Sequence, residues 1–182
     1  ERIGKTVTLN QPKDSFKPVV YTYDIAENIA APIWRTTKLA FNEADSLGAE
    51  LMVIHMNTYG GEVSAADSIR TKILNAKMPV YVFIDDNAAS AGALIGIACD
   101  SIYMKPGGKI GAATVVNQTG EQVPDKYQSY MRATMRATAE AHGKDTIISG
   151  SDTIISWHRD PAIAEAMVDP KLYVEGISDT GQ

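Results

Sequence analysis

Residues 51–63 read Leu-Met-Val-Ile-His-Met-Asn-Thr-Tyr-Gly-Gly-Glu-Val. A short, nearly continuous apolar run ends in a paired-glycine turn, and Val63, Ala66, Ile69 and Ile73 then recur at helical spacing. The run predicts a strand over 51–56 and a helix after the turn. Working outward, Val19 to Ile25 is rich in Val, Tyr and Ile and precedes an amphipathic stretch from Ala30 to Leu47. Downstream, Pro79 opens another apolar run, Val80 to Ile84, followed by a helix starting near Ala89 and a strand at Ser101 to Met104. The alternation is βαβαβαβ. It predicts an α/β fold with a parallel sheet, helices packed on its faces and right-handed crossovers, and such sheets bind ligands at the carboxyl ends of their strands.

After Lys105-Pro106-Gly107-Gly108 the chain is small and turn-rich as far as Gly120, and a long helix is then expected from Pro124 to His142, with Gly143 as its stop signal. Gln128, Arg132, Arg136 and Glu140 form an i, i+4 ridge that reads as solvated. Tyr130, Ala133 and Ala137 read as the apolar side, with Lys126 in register with them. Thr-Ile-Ile-Ser occurs twice, at 146–149 and 153–156, around Gly150-Ser151-Asp152, which predicts a hairpin within 145–157. A last short helix is expected over Pro161 to Met167.

The 182 residues, 45% hydrophobic and 21% charged, suit one globular domain. A net charge of -5 with no basic cluster argues against nucleic acid. Cys99 lies in a small apolar run and reads as a buried hydrophobe. No apolar run reaches the roughly 18 residues of a membrane span. The start at Glu1 and the turn-like tail from Gly176 read as a soluble piece of a longer protein.

Two segments could carry chemistry. Ala88-Ala89-Ser90-Ala91-Gly92 joins a strand to a helix, placing a serine at a strand's carboxyl end beside the free N–H groups of a helix N-terminus. Read blandly, the same small residues only permit close packing. Tyr59-Gly60-Gly61 allows a sharp turn and close backbone approach, and no phosphate-loop or dinucleotide pattern accompanies it. If the two segments are neighbours, the N–H groups of Gly61 and Ala91 could form an oxyanion hole, with Tyr59, Gly60 and Gly92 lining the substrate groove. A nucleophilic serine needs a base. His55 falls in a strand, His142 at a helix end and His158 in a peripheral segment, so each reads as structural. Asp85, Asp86 and Asp100 complete no triad without a placed histidine, and no metal-ligand cluster is present in the sequence. Lys126, at the start of the long helix, is the remaining titratable candidate, although by position alone it reads as a snorkelling surface lysine.

Asn57-Thr58-Tyr59-Gly60-Gly61-Glu62-Val63, then Asn87-Ala88-Ala89-Ser90-Ala91-Gly92, then Gly107-Gly108-Lys109-Ile110-Gly111-Ala112 resemble in order the motifs of the ClpP/crotonase superfamily. Within it the chain is most similar to NfeD-type membrane-bound serine peptidases and, more distantly, to signal peptide peptidase A. Ala139-Glu140-Ala141-His142-Gly143-Lys144-Asp145 resembles the family's Ala-Glu-x-x-Gly-Arg signature. The resemblance departs at Asn57-Thr58-Tyr59, where the family usually has Asp-Thr-Pro or Ser-Pro, and at 145–157, which looks inserted.

The resemblance implies ClpP/crotonase-like repeated ββα and βαβ units, with a mostly parallel sheet flanked by helices. It implies Ser90 as nucleophile, Lys126 as base, Gly61 and Ala91 as oxyanion donors, and no cofactor. A lysine base requires a lowered pKa, and burial on an apolar helix face acts in that direction. The resemblance further implies an extracytoplasmic domain of a membrane protein, a homodimer, and cleavage of hydrophobic segments of membrane-linked substrates, a stomatin-like partner among them. Two rivals stay open: a crotonase-like acyl-CoA enzyme, which would use carboxylates, and a non-catalytic scaffold of a membrane complex.

Overall fold

The computed structural model describes residues 4–8, 18–117, 119–149 and 152–174. The residues from Gly176 and the Gly150-Ser151 pair, on which two of the sequence expectations fall, lie outside the described residues. The chain divides into two compact units, with the boundary between Gly111 and Ala112.

In the first unit, β2 (Val19–Ile25), β3 (Leu51–Thr58), β4 (Val80–Ala89) and β5 (Ser101–Met104) run parallel in that order. The short β1 (Lys5–Thr8) adds an antiparallel edge to β2. β4 is longer than the run of apolar residues suggested, because it continues through the small residues to Ala89. Its first half pairs with β5 and its last three residues with β6 (Lys109–Gly111). α1 (Ala31–Ser46), α2 (Val63–Leu74) and α3 (Ala91–Ala98) make the crossovers.

Burial follows the period of two expected of strands. Met52, Ile54 and Met56 of β3 and Val80, Val82 and Ile84 of β4 are fully buried. α1 turns Ile33, Ala40, Phe41 and Ala44 inward, and α2 turns Ala65, Ala66, Ile69 and Ile73. On α3 every residue is buried, which its sequence Ala-Gly-Ala-Leu-Ile-Gly-Ile-Ala permits since none carries a polar side chain. Tyr23 is buried as well. Its hydroxyl meets Thr37 Oγ1 at 3.3 Å, and burial holds the phenol well above its ordinary pKa. The other side of the sheet is partly exposed, with His55 stacked on Phe83 at 5.7 Å and Tyr81 against Tyr103 at 5.8 Å.

The second unit holds α4 (Asp125–Glu140), the hairpin β7 (Lys144–Ser149) and β8 (Asp152–Trp157), and α5 (Pro161–Ala166). Gly143, at φ 71°, ends the α4 segment as expected. The hairpin pairs Thr146 with Ile155 and Ile147 with Ile154, so the repeated Thr-Ile-Ile-Ser strands face each other as the sequence predicts. Arg136 of α4 pairs with Glu165 of α5, and Arg132 with Asp169, just beyond α5, at 3.2 Å. Among the described residues no helix is long and apolar enough to cross a membrane.

One expectation is corrected here. The buried face of α4 carries Gln128, Met131, Met135, Thr138 and Ala139, while Tyr130, Ala133 and Ala137 are exposed. Gln128 goes inward because its amide is fully answered: Oε1 accepts the Val115 N–H at 2.9 Å and Nε2 donates to the Val115 carbonyl at 2.7 Å. A polar side chain with such partners is buried at little cost.

Candidate active site

The site grows from a register shift. Met56 pairs with Ile84 and Thr58 with Ala88, so two steps along β3 are matched by four along β4. A bulge of this kind bends a strand and re-aims the residues beyond it. Lys105 sits 3.3 Å from Asp85 and 3.9 Å from Asp86 in the bulged stretch, giving those carboxylates a structural partner. Asp100 is likewise structural, accepting the Val80 N–H at 2.7 Å.

Ser90 follows β4 directly and caps α3, which begins at Ala91 rather than Ala89. Its backbone is at φ 55°, ψ −118°. A non-glycine residue there stores on the order of 1–3 kcal/mol, held by its surroundings. Those surroundings are specific. The Ser90 N–H donates to the Gly111 carbonyl at 2.8 Å, and the Ser90 carbonyl accepts the Ala93 N–H at 2.9 Å. The side chain itself is half-buried and thus reachable.

The glycine turn lies alongside. A Cβ built on Gly60 would fall 2.7 Å from Ser90 Cβ and 3.2 Å from the Ala91 nitrogen. One built on Gly61, at φ 153°, would fall 2.1 Å from the Ile29 carbonyl oxygen. The second contact reflects a parallel bridge in which the Ile29 N–H donates to the Gly60 carbonyl at 2.8 Å and the Glu62 N–H to the Ile29 carbonyl at 2.7 Å. In such a bridge the Gly61 N–H faces away from Ile29, toward the side on which β4 runs. Neither the Gly61 N–H nor the Ala91 N–H is bonded to another group among the described residues. Gly92 is packed tightly too, since a Cβ there would meet Thr58 Cγ2 at 2.7 Å. The Tyr59 ring stands 83% exposed at the tip of the turn.

The first unit therefore brings Gly60, Gly61, Ser90, Ala91 and Gly92 to one place, with Tyr59 beside them, at the carboxyl ends of neighbouring parallel strands. Lys126 belongs to the second unit, in the first turn of α4. It is exposed, with Nζ 4.8 Å from the centre of the Tyr127 ring, and the buried face of α4 does not include it. His55, at mid-strand, pairs with Phe83, before the bulge and seven residues ahead of Ser90 in the chain. His142 and His158 pack ring to ring at 5.9 Å, and His158 Nδ1 is 2.9 Å from Asp145. Sequence reasoning missed Ile29, the Gly111 carbonyl and the Thr58 hydroxyl. No local pattern marks them, because each matters only through a partner distant in the chain.

The family described as NfeD1b, N-terminal domain, matches residues 19–152. Membrane protein NfeD1b of Bacillus subtilis is 31% identical over 86% of this chain, and membrane-bound protease PH1510 of Pyrococcus horikoshii is 28% identical over 73%. The chain spans about a third of the length of these curated relatives, 32% of each. Among solved structures, the 1510-N membrane-bound stomatin-specific protease superposes with a TM-score of 0.72 at 26% identity, over 85% of this chain. The two structures that superpose so are a serine-to-alanine variant, of which 72% is covered, and a lysine-to-alanine variant in complex with a substrate peptide, of which 68% is covered. ClpP1 from Listeria monocytogenes, at TM-score 0.54 and 24% identity over 67% of this chain and 72% of its own, shares the fold. With its mostly parallel sheet, its glycine turn and its serine-bearing strand-to-helix junction, the chain belongs to the NfeD1b N-terminal domain family, an NfeD-type branch of the ClpP/crotonase fold.

Proposed function

We propose that the chain is a serine endopeptidase domain in which Ser90 is the nucleophile and Lys126 the general base. The observation that carries this reading is the backbone of Ser90: a strained serine held against a glycine turn, with two amides, Gly61 and Ala91, left without acceptors beside it. Ser90 Oγ adds to a peptide carbonyl as Lys126 takes its proton. The carbonyl oxygen becomes an oxyanion held by the Gly61 and Ala91 N–H groups, and the amine leaves with the proton from Lys126. Water then hydrolyses the acyl-enzyme by the same route. The pairing with Lys126 is supported by the motif order and by the peptide-bound lysine variant of the 1510-N protease. The exposed Tyr59 flanks the groove for an extended peptide, and the buried Gly60 and Gly92 shape it from beneath.

The names of the relatives support a membrane-associated protein, and the motif resemblance is what assigns this domain to the extracytoplasmic side. The fitting substrate is a hydrophobic segment of a membrane-linked protein, such as a stomatin-like partner, engaged by a homodimer. The test is labelling of the intact protein with a fluorophosphonate, together with peptide cleavage by Ser90→Ala, Lys126→Ala and Lys126→Arg. All three substitutions should abolish turnover, because members of one catalytic unit are not additive and arginine cannot give up its proton. Cleavage by Ser90→Ala at the wild-type rate would sink the nucleophile assignment. An active Lys126→Arg protein would sink the base.

A further inference from the structure

We propose that Thr58 is a positioning residue that fixes which amide of the glycine pair is offered to the reacting carbonyl, a role that rests on Ser90 being the nucleophile. Thr58 ends β3 and is 2% exposed. Its hydroxyl is used in both senses: Oγ1 accepts the Gly60 N–H at 3.1 Å and donates to the Glu27 carbonyl at 2.7 Å. A more distant acceptor, the Gly60 carbonyl at 3.5 Å, cannot compete for the single hydroxyl proton.

The consequence follows from the planarity of the peptide unit. Gly60 is held from both sides. Its N–H, in the plane shared with Tyr59, is tied to Thr58, and its carbonyl, in the plane shared with Gly61, accepts from Ile29 at 2.8 Å. In a trans peptide the N–H points opposite to the carbonyl, so the Gly61 N–H is turned away from Ile29. Glycine at φ 112° has the freedom to rotate either plane, and nothing in its own side chain opposes it. The Thr58 hydroxyl opposes it, since turning the first plane would leave a buried N–H without an acceptor. Glu27 and Ile29 belong to the same connection between β2 and α1, so one hydroxyl couples the turn to the segment that bridges it.

The methyl group has a separate task. Thr58 Cγ2 fills the space beside Gly92, at the start of α3. Hydroxyl and methyl can therefore be removed one at a time. In the intact protein, with a peptide whose cleavage depends on Ser90, Thr58→Val keeps the shape and deletes the hydroxyl. It should lower kcat by about tenfold or more, short of the ~10²–10³ for outright loss of an oxyanion donor, and change KM by less than about threefold. Thr58→Ser keeps the hydroxyl and deletes the methyl, so it should keep kcat within about threefold of wild type while lowering the melting temperature. Wild-type kcat in the valine variant overturns the assignment, as does a serine variant that falls as far as the valine one. Should the valine variant not accumulate as folded protein, the serine variant decides alone: preserved kcat at lowered stability supports the role, and lowered kcat overturns it. A substrate cleaved equally well by Ser90→Ala overturns the nucleophile assignment first, and the role of Thr58 with it.

Discussion

The shelf around Ser90 and the β7–β8 hairpin are both written in simple sequence, one in alanine and glycine, the other in a repeated Thr-Ile-Ile-Ser. They differ in what answers each side chain. On the shelf, Gly60, Gly61 and Gly92 leave no room for a single added carbon. On the hairpin, Ile148 is 75% exposed and Ile155 64%, and β7 pairs with β8 and with no other strand among the described residues. Position matters on the shelf because the backbone around Ser90 is held from elsewhere in the chain, the Ser90 N–H by the Gly111 carbonyl and the Gly60 carbonyl by the Ile29 N–H. The hairpin is specified by its own two strands.

Substitutions can break this contrast, and Gly61→Ala should do the most damage. Its Cβ would press on backbone, the Ile29 carbonyl oxygen at 2.1 Å, which cannot yield as a flexible side chain would. A cost of at least about 3 kcal/mol is expected, lowering the melting temperature by more than about 6 °C, along with loss of activity. An unchanged melting curve would show that the turn is not held against Ile29.

Gly92→Ala comes next, at about 1–3 kcal/mol, because the atom it meets is a single methyl carbon, Thr58 Cγ2 at 2.7 Å. Replacing Thr58 by Ser removes that carbon. The double variant Gly92→Ala/Thr58→Ser should then be more stable than the sum of the single losses, and strict additivity in calorimetry would refute the direct contact.

The smallest effect should come from the hairpin. Ile148→Thr and Ile155→Thr remove exposed apolar groups while keeping β-branching, so each should change stability by no more than about 0.5 kcal/mol. A loss above about 2 kcal/mol at either position would mean that the hairpin is packed in solution and that the contrast with the shelf is false.

Some of this was legible in the chain before folding was considered. The strands read at 19–25, 51–56 and 101–104 and the hairpin declared themselves by local apolar pattern, although the second runs on to Thr58, and Gly143 marked the end of the α4 segment. Where a long-range partner decided the outcome, local reading failed. Gln128 looked solvent-facing because glutamine generally is, and it is buried because Val115 satisfies its amide in both directions. The apolar register assigned to Tyr130, Ala133 and Ala137 failed with it, since an alanine on a helix fits either face.

What the sequence determined by itself is the alternation of strand and helix, the two small-residue junctions and the identity of the serine between them. Those properties depend on neighbours within a few residues, and hydrophobic period and turn chemistry encode them directly. The tertiary structure decided that the junctions lie side by side, that Ser90 takes a left-handed φ and that Gly60 is held by Thr58 from one side and Ile29 from the other. A hydrogen bond or a steric limit between residues thirty apart has no local signature, because it exists only once parallel strands have brought both ends of the contact together.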